Sequence, residues 1–236
     1  NVLYKNRPFS FGTPANPLGT LDLNGYNQEL SGFSHHSWSE KVYVKNTAKY
    51  GVVTSGVPAT VKYSGQPYWY DSNFNPTNAI AFRGEASLHI ASDPTVVTRL
   101  INALSDTKGS LTVSSGTLYF DWGAGWTATT NVVIDGGILG VAAESAAVAF
   151  GPSAGKSDAD MFISGNGKLQ LDAGVTSTVH TLTLDGVRIR ESGIYGGEGA
   201  YTAGLVDAAH KLSQITGAGV LNVRSTGAKG TVFFVR

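Results

Sequence analysis

The chain has 236 residues, of which 42% are hydrophobic, and this is enough for one large all-β domain with a buried core. Basic and acidic residues number 17 each, so no basic excess is present to neutralise a phosphate backbone, and we expect no nucleic-acid partner. Thirty glycines and no cysteine predict a turn-rich β protein without disulfides or thiolate metal sites, and we expect no metal ion and no cofactor.

The hydropathy pattern and the start of the chain bear on localisation. No apolar run approaches the roughly 20 residues that span a bilayer, so we expect no membrane insertion of this segment. The absence of cysteine fits an exported bacterial β protein at least as well as a cytosolic one. Because the chain begins Asn1-Val2 without a methionine or a signal peptide, we expect that a targeting segment lay upstream.

The first predicted element lies in the stretch 19–32, which reads GTLDLNGYNQELSG. Apolar and polar residues alternate up to Asn24-Gly25, and this dipeptide accepts the positive backbone angles of a tight hairpin turn. A second interpretation is a corner, at which a coiled chain turns onto its next side. The corner is favoured because the phrase recurs later in the chain, and it places Leu21 and Leu23 inside and Asp22 outside.

Residues 46–106 lack the recurring phrase and are predicted to form an irregular, aromatic-rich insertion. Flat rings beside amide and carboxylate groups are typical of sugar-binding sites, since the rings stack on sugars and the polar groups bond hydroxyls. Packing of the same rings within the insertion is the alternative. The predicted ligand-binding residues are Tyr63, Tyr68, Trp69, Tyr70 and Asp71.

One segment of this insertion has helical spacing. Asp93 is a suitable N-cap, and Pro94 fits the first helical position. The apolar residues that follow recur at intervals of three and four, which predicts a short amphipathic helix over 94–104. These residues are Val96, Val97, Leu100, Ile101 and Leu104.

A short phrase, Gly-x-Leu-x-(Leu, Val or Phe), recurs along the chain and predicts half-buried strands that each follow a turn. Copies at Gly116, Gly137 and Gly167 lie about one turn of a β-solenoid apart, whereas Gly109 and Gly116 are close enough to be two sides of one turn. We therefore predict a single all-β solenoid domain over 1–236, with a β-sandwich or jelly roll as the alternative. The copies are 19–23, 109–113, 116–120, 137–141, 167–171 and 219–223.

Paired carboxylates are the candidate catalytic groups, since sugar hydrolysis and aspartic proteolysis both need two acids close together. Asp158 and Asp160 lie beside Lys156 and face the same side of an extended chain; a solvated loop and a cation site are the alternatives. No Gly-x-Ser-x-Gly elbow supports acyl transfer. A stack could also bring together two of the aspartates that stand at comparable corners, namely Asp22, Asp121, Asp135, Asp172 and Asp185.

Other aromatic and basic side chains have simpler interpretations. Trp122 and Trp126 form a second aromatic pair, in which the sequence Gly-Ala-Gly-Trp predicts packing at a corner. Three of the histidines are isolated in the sequence and are predicted to be surface or capped residues. They are His89, His180 and His210.

The region 182–223 ends the regular part of the chain with LTLDGVRIRESGIYGGEGA and, after an irregular stretch, ITGAGVLNV. It resembles the closing module of bacterial passenger proteins of the autotransporter-associated β-helix type, in which a strand, a DG turn, G-x-Y-G and I-x-G-x-G-x-L-x-V follow in that order. Phrases at 21–28 and 116–126 are also similar, and the resemblance covers about 17–45 and 107–224. It implies a right-handed parallel β-helix in a secreted or cell-surface protein, but it implies no reaction.

Three classes of function follow from these patterns. We expect an adhesive passenger-type protein that binds a glycan or a mucin-like glycoprotein. A hydrolase or lyase that uses paired carboxylates on the same scaffold is the second class, acting on glycans or, as an aspartic-type protease, on glycoprotein. A structural spacer is the third.

Overall fold

The computed structural model describes residues 8–11, 19–23, 26–30, 32–35, 42–46, 59–63, 80–101, 104–151, 155 and 157–225. The amino-terminal strands, numbered in chain order, are β1 (Pro8–Phe11), β2 (Gly19–Asp22), β3 (Gln28–Leu30), β4 (Gly32–His35), β5 (Val42–Asn46), β6 (Ala59–Tyr63), β7 (Ile80–Gly84) and β8 (Ala86–Ala91). The central strands are β9 (Val97–Ile101), β10 (Leu104–Ser105), β11 (Leu111–Ser115), β12 (Thr117–Asp121), β13 (Gly125–Trp126), β14 (Asn131–Ile134) and β15 (Ile138–Val141), followed by a 3-10 turn over Ala143–Ser145.

The carboxyl-terminal elements complete the all-β architecture and include one short helix. They are β16 (Asp160–Ile163), β17 (Lys168–Leu171), β18 (Thr176–Val179), β19 (Thr181–Leu184), β20 (Val187–Arg188), β21 (Gly193–Gly196), α1 (Glu198–Thr202), β22 (Ile215–Thr216) and β23 (Val220–Val223). The chain is thus mostly strand wherever the structure describes it, as the glycine-rich, cysteine-free composition predicts.

Two large sheets organise the described strands. One has eight strands in the order β3-β6-β8-β11-β14-β16-β19-β20, and the other has five in the order β9-β12-β15-β17-β22. Neighbours are parallel throughout, except for the antiparallel pair β19 and β20. From β8 to β17 the chain passes repeatedly from the eight-stranded sheet to the five-stranded sheet, so strands made of the same phrase become neighbours.

The stretch 19–32 is not a hairpin. Its two strands belong to different sheets, because β2 pairs with β5 whereas β3 pairs with β6. Leu23 is buried and Asp22 is exposed, as the corner interpretation predicts, and Leu21 is half-buried against the core. Asn24 and Gly25 themselves lie outside the described residues.

The core is formed by inward-facing residues that stack in register from strand to strand. Parallel pairing without a shift places equivalent positions side by side, so each repeated leucine contacts another apolar residue. One such row runs across the five-stranded sheet through Leu118, Leu139, Leu169 and Ile215. All four side chains are fully or almost fully buried.

Buried hydroxyls hold the chain where it enters successive strands of the eight-stranded sheet. Thr129 Oγ1 donates to the Gly109 carbonyl (2.7 Å) and accepts from the Asn131 amide (3.3 Å). Thr107 and Ser157 bond the backbone in the same way before β11 and β16. These bonds satisfy backbone groups that the corner removes from the ladder.

Replacing Thr129 with valine should lower the free energy of unfolding by about 1–3 kcal/mol, since valine matches the shape but leaves buried backbone groups unsatisfied. Urea unfolding monitored by circular dichroism measures the loss. Thr129→Ser keeps the hydroxyl and should recover most of the stability. Equal losses in the two variants would show that the hydroxyl bonds contribute little.

The predicted helix over 94–104 is wrong. Residues 97–101 form β9, which pairs in parallel with β12. Val96, Thr98 and Leu100 are buried while Val97 is exposed, so the segment has the period of two that a strand requires. Asp93 does cap the segment, but as a turn: its Oδ1 accepts from the Thr95 amide at 2.9 Å.

The prediction that 46–106 is irregular also fails for its described part. Strands β6 and β8 belong to the eight-stranded sheet, β9 belongs to the five-stranded sheet, and β7 pairs with β5. The α-helix that the structure describes lies instead in 182–223, over Glu198–Thr202.

The region 182–223 contains the last strands of the two large sheets, β20 and β22. Strand β20 folds back antiparallel on β19, and β21 pairs antiparallel with β23. The chain at Gly197 packs so closely on β22 that a Cβ there would lie 2.2 Å from the Ile215 carbonyl oxygen. Covering an exposed sheet edge in this way prevents further strands from pairing with it.

Candidate functional site

Most of the predicted ligand-binding cluster lies outside the described residues. The cluster residues that lie outside the described part of the chain are Tyr68, Trp69, Tyr70 and Asp71. Tyr63 is the last residue of β6, and its backbone pairs with Ile90 in β8. The sugar-binding prediction for the cluster therefore stays a prediction.

The predicted catalytic pair lies at the start of β16. Asp158 is exposed, and Asp160 is half-buried on the outer face of the eight-stranded sheet. Asp160 Oδ1 lies 3.0 Å from His180 Nδ1 and accepts a hydrogen bond from Thr181 Oγ1 at 2.6 Å. The sequence predicts that His180 is isolated, but in the structure it has a partner. Parallel pairing of β16 with β19 places it beside Asp160.

A second polar cluster lies on the outer face of the five-stranded sheet. Parallel pairing aligns Arg99, Tyr119, Gly140, Gln170 and Thr216 in one row across the five strands. Gly140 is essential to the row, because the ring of Tyr119 lies over it and a Cβ there would approach the ring to 2.1 Å. The missing side chain lets Tyr119 lie flat across the neighbouring strand.

Tyr119 is the centre of this cluster. The guanidinium of Arg99 lies over its ring, 4.7 Å from the centroid. Burial raises the pKa of the Tyr119 hydroxyl, and the hydrogen bond and negative charge of Asp172 raise it further. The hydroxyl therefore stays protonated at neutral pH and remains a donor. Gln170 Nε2 also donates to Asp172, at 3.4 Å.

Asp121 connects the cluster to an exposed tryptophan. Its Oδ2 accepts from Arg99 Nη1 at 2.8 Å, and its Oδ1 accepts from the backbone amide of Trp122 at 3.0 Å. Trp122 has φ of +49° and is 62% exposed. A non-glycine residue rarely adopts this left-handed conformation, and the bond from the Trp122 amide to Asp121 helps to hold the backbone in it.

The two carboxylates of the cluster stand at equivalent positions of two repeats. Asp121 ends β12 and Asp172 follows β17, with β15 lying between these strands. Two strand spacings separate them by about 10 Å. Register gives two equivalent pairs among the five corner aspartates. One is Asp121 and Asp172; the other is Asp135 and Asp185 on the eight-stranded sheet, where β16 lies between β14 and β19. Asp185 also accepts from the Gly165 amide. We call the cluster the Trp122 face; it consists of Arg99, Tyr119, Asp121, Trp122, Gln170 and Asp172.

Sequence reasoning missed most of the Trp122 face. The phrase copies at 116–120 and 167–171 contain the signal, because aligning them superimposes Tyr119 on Gln170 and Asp121 on Asp172. The two tryptophans of the predicted aromatic pair also differ in exposure, since Trp126 is fully buried while Trp122 is exposed. Corner packing is correct for Trp126 alone.

No family model, curated protein or solved structure matches this chain. Across the described ranges, no helix has the length and apolar character needed to cross a membrane. No group of three or more histidine or carboxylate side chains that could hold a metal ion occurs within the same ranges.

Proposed function

We propose that this protein is a right-handed parallel β-helix of the exported, passenger type that binds a glycan or glycoprotein through the Trp122 face. The alternation of the chain between two parallel sheets supports the helix, and crossover connections between parallel strands are almost always right-handed. The resemblance of 182–223 to a closing module and the absence of cysteine support a secreted or cell-surface location.

The observation that carries the binding proposal is the exposed indole of Trp122. Burying an exposed aromatic ring against the apolar face of a sugar is favourable. The adjacent Asp121 carboxylate, 17% exposed, offers a charged acceptor for sugar hydroxyls. Ring and carboxylate together provide the two kinds of contact that a sugar requires.

Binding is favoured over hydrolysis because both carboxylates of the face already have partners. Asp121 pairs with Arg99, and Asp172 interacts with Tyr119 and Gln170. A glycoside hydrolase needs one carboxylic acid that stays protonated, usually within an apolar pocket. Asp121 instead lies 2.8 Å from the Arg99 guanidinium, outside any apolar pocket that the described residues show.

Replacing Trp122 with alanine should reduce retention on a mucin or polysaccharide matrix by roughly tenfold, the effect of losing one aromatic contact. The measurement is frontal affinity chromatography of the full chain. Tyr201→Ala is the matched control, because Tyr201 is a 40% exposed ring on α1, outside the Trp122 face. Unchanged retention in folded Trp122→Ala would contradict the proposal.

The competing classes give different results in the same samples. A hydrolase or lyase would release soluble sugar or peptide from the matrix, with a bell-shaped dependence on pH between about 4 and 8 if two acids act together. A structural spacer would neither bind nor cleave. The sugar-binding prediction for residues 68–71 is separate, and the Trp122 variant does not test it.

A further inference from the structure

A serine and a histidine lie in contact on the outer face of the eight-stranded sheet. His89 Nε2 of β8 is 2.8 Å from Ser114 Oγ of β11. Both side chains are half-buried, so the pair is partly shielded from water but open on the surface. This distance is within the range that joins a hydroxyl nucleophile to its general base.

Strand pairing explains why the two side chains meet. His89 lies directly opposite Thr112, and Ser114 is the next residue of β11 on the same face. The register between β8 and β11 shifts between Val113 and Ser115, at the position of Ser114. Such irregularities re-aim a side chain and end regular pairing.

A glycine approaches the backbone of Ser114 from the end of β14, on the side away from β8. Gly136 follows β14 and is exposed, and a Cβ there would lie 2.5 Å from the Ser114 carbonyl oxygen. Any other residue would place its Cβ against the Ser114 backbone carbonyl. The glycine therefore lets the two backbones approach closely beside Ser114.

We propose that Ser114 is a nucleophile and His89 its general base, and that the pair hydrolyses esters of short carboxylic acids such as acetyl esters. Ser114 Oγ bonds to the acyl carbon while His89 Nε2 takes the hydroxyl proton and passes it to the departing alcohol oxygen. Water then attacks the acyl-serine, His89 takes a proton from the water and returns it to Ser114 Oγ, and the carboxylic acid leaves. This activity does not depend on the Trp122 face.

A fluorophosphonate probe tests the nucleophile directly. In the folded full chain it should label Ser114, located by peptide mass spectrometry, and Ser114→Ala should abolish both this label and the release of p-nitrophenol from p-nitrophenyl acetate. His89→Gln can still hydrogen-bond Ser114 but is not a base, so labelling should slow by roughly 100-fold. A purely structural histidine would leave the rate unchanged.

Ser164 provides the internal control, because register makes Val113 and Ile163 equivalent and each serine directly follows one of them. Ser164 is also half-buried. The proposal is overturned if the wild-type protein labels Ser114 no faster than Ser164, or if His89→Gln reacts as fast as the wild type. If His89→Gln does not fold, the comparison of wild type with Ser114→Ala in p-nitrophenyl acetate hydrolysis still decides, and equal rates overturn the proposal.

Discussion

Replacing Trp126 with alanine should lower the free energy of unfolding by about 3–5 kcal/mol. Trp126 is fully buried, and its ring centroid lies 4.8 Å from that of Phe82. Its Nε1 donates to the Gly109 carbonyl at 3.3 Å, so alanine both opens a cavity and removes a buried hydrogen bond. Equilibrium unfolding in urea, followed by far-ultraviolet circular dichroism, measures the change.

Trp122→Ala is the matched control for this experiment, since it makes the same substitution four residues earlier in an exposed side chain. It should change the free energy of unfolding by less than about 1 kcal/mol. Trp126→Phe keeps an aromatic ring and should lose less than the alanine variant. Similar losses in Trp122→Ala and Trp126→Ala would contradict the assignment of one tryptophan to the core and the other to the surface.

Replacing Gly217 with alanine should lower the free energy of unfolding by about 3 kcal/mol or more. Gly217 has φ of +82°, and a Cβ there would lie 2.0 Å from the backbone carbonyl oxygen of Leu171. The alanine would strain the backbone and push β22 away from β17, next to Asp172. The melting temperature and the urea midpoint should both fall.

Gly186→Ala separates the two causes of that loss. Gly186 has almost the same φ, +80°, but no atom lies within 4 Å of an added Cβ. This variant should lose only about 1–2 kcal/mol, the cost of a left-handed backbone for alanine. If Gly217→Ala were no worse than Gly186→Ala, the close approach of β22 to β17 would be wrong.

The strands and their stacking could be predicted from the sequence because the information is local and repeated. Each Gly-x-Leu phrase carries a turn and two apolar positions of period two, and every copy contains a described strand. Copies at 116–120, 137–141 and 167–171 contribute the neighbouring strands β12, β15 and β17. Copies at 109–113 and 116–120 fall in different sheets, as their short separation predicts.

The segment 94–104 could not be assigned in this way. Apolar residues occupy positions compatible with both periods, and the strand is selected by pairing with β12, which is distant in sequence. Thr98 and Ile101 are buried in β9. Both are β-branched, and β-branched residues favour a strand over a helix. Tertiary pairing thus outweighed a plausible N-cap.

The candidate sites depend on register, which one sequence does not specify. Among the five corner aspartates, Asp121 and Asp172 become equivalent across β15, and Asp135 and Asp185 become equivalent across β16. His89 and His180 gained their partners Ser114 and Asp160 in the same way, from strands far apart along the chain. Residue type predicted polar corners, but pairing decided which side chains meet.

The most direct test of the binding proposal is a fluorescence titration of the full chain with a soluble polysaccharide or mucin. The account predicts that glycan shifts tryptophan emission to the blue in the wild type, and that Trp122→Phe loses this shift while Trp69→Phe retains at least part of it. A full shift in folded Trp122→Phe would place the ligand elsewhere and contradict the assignment of the Trp122 face.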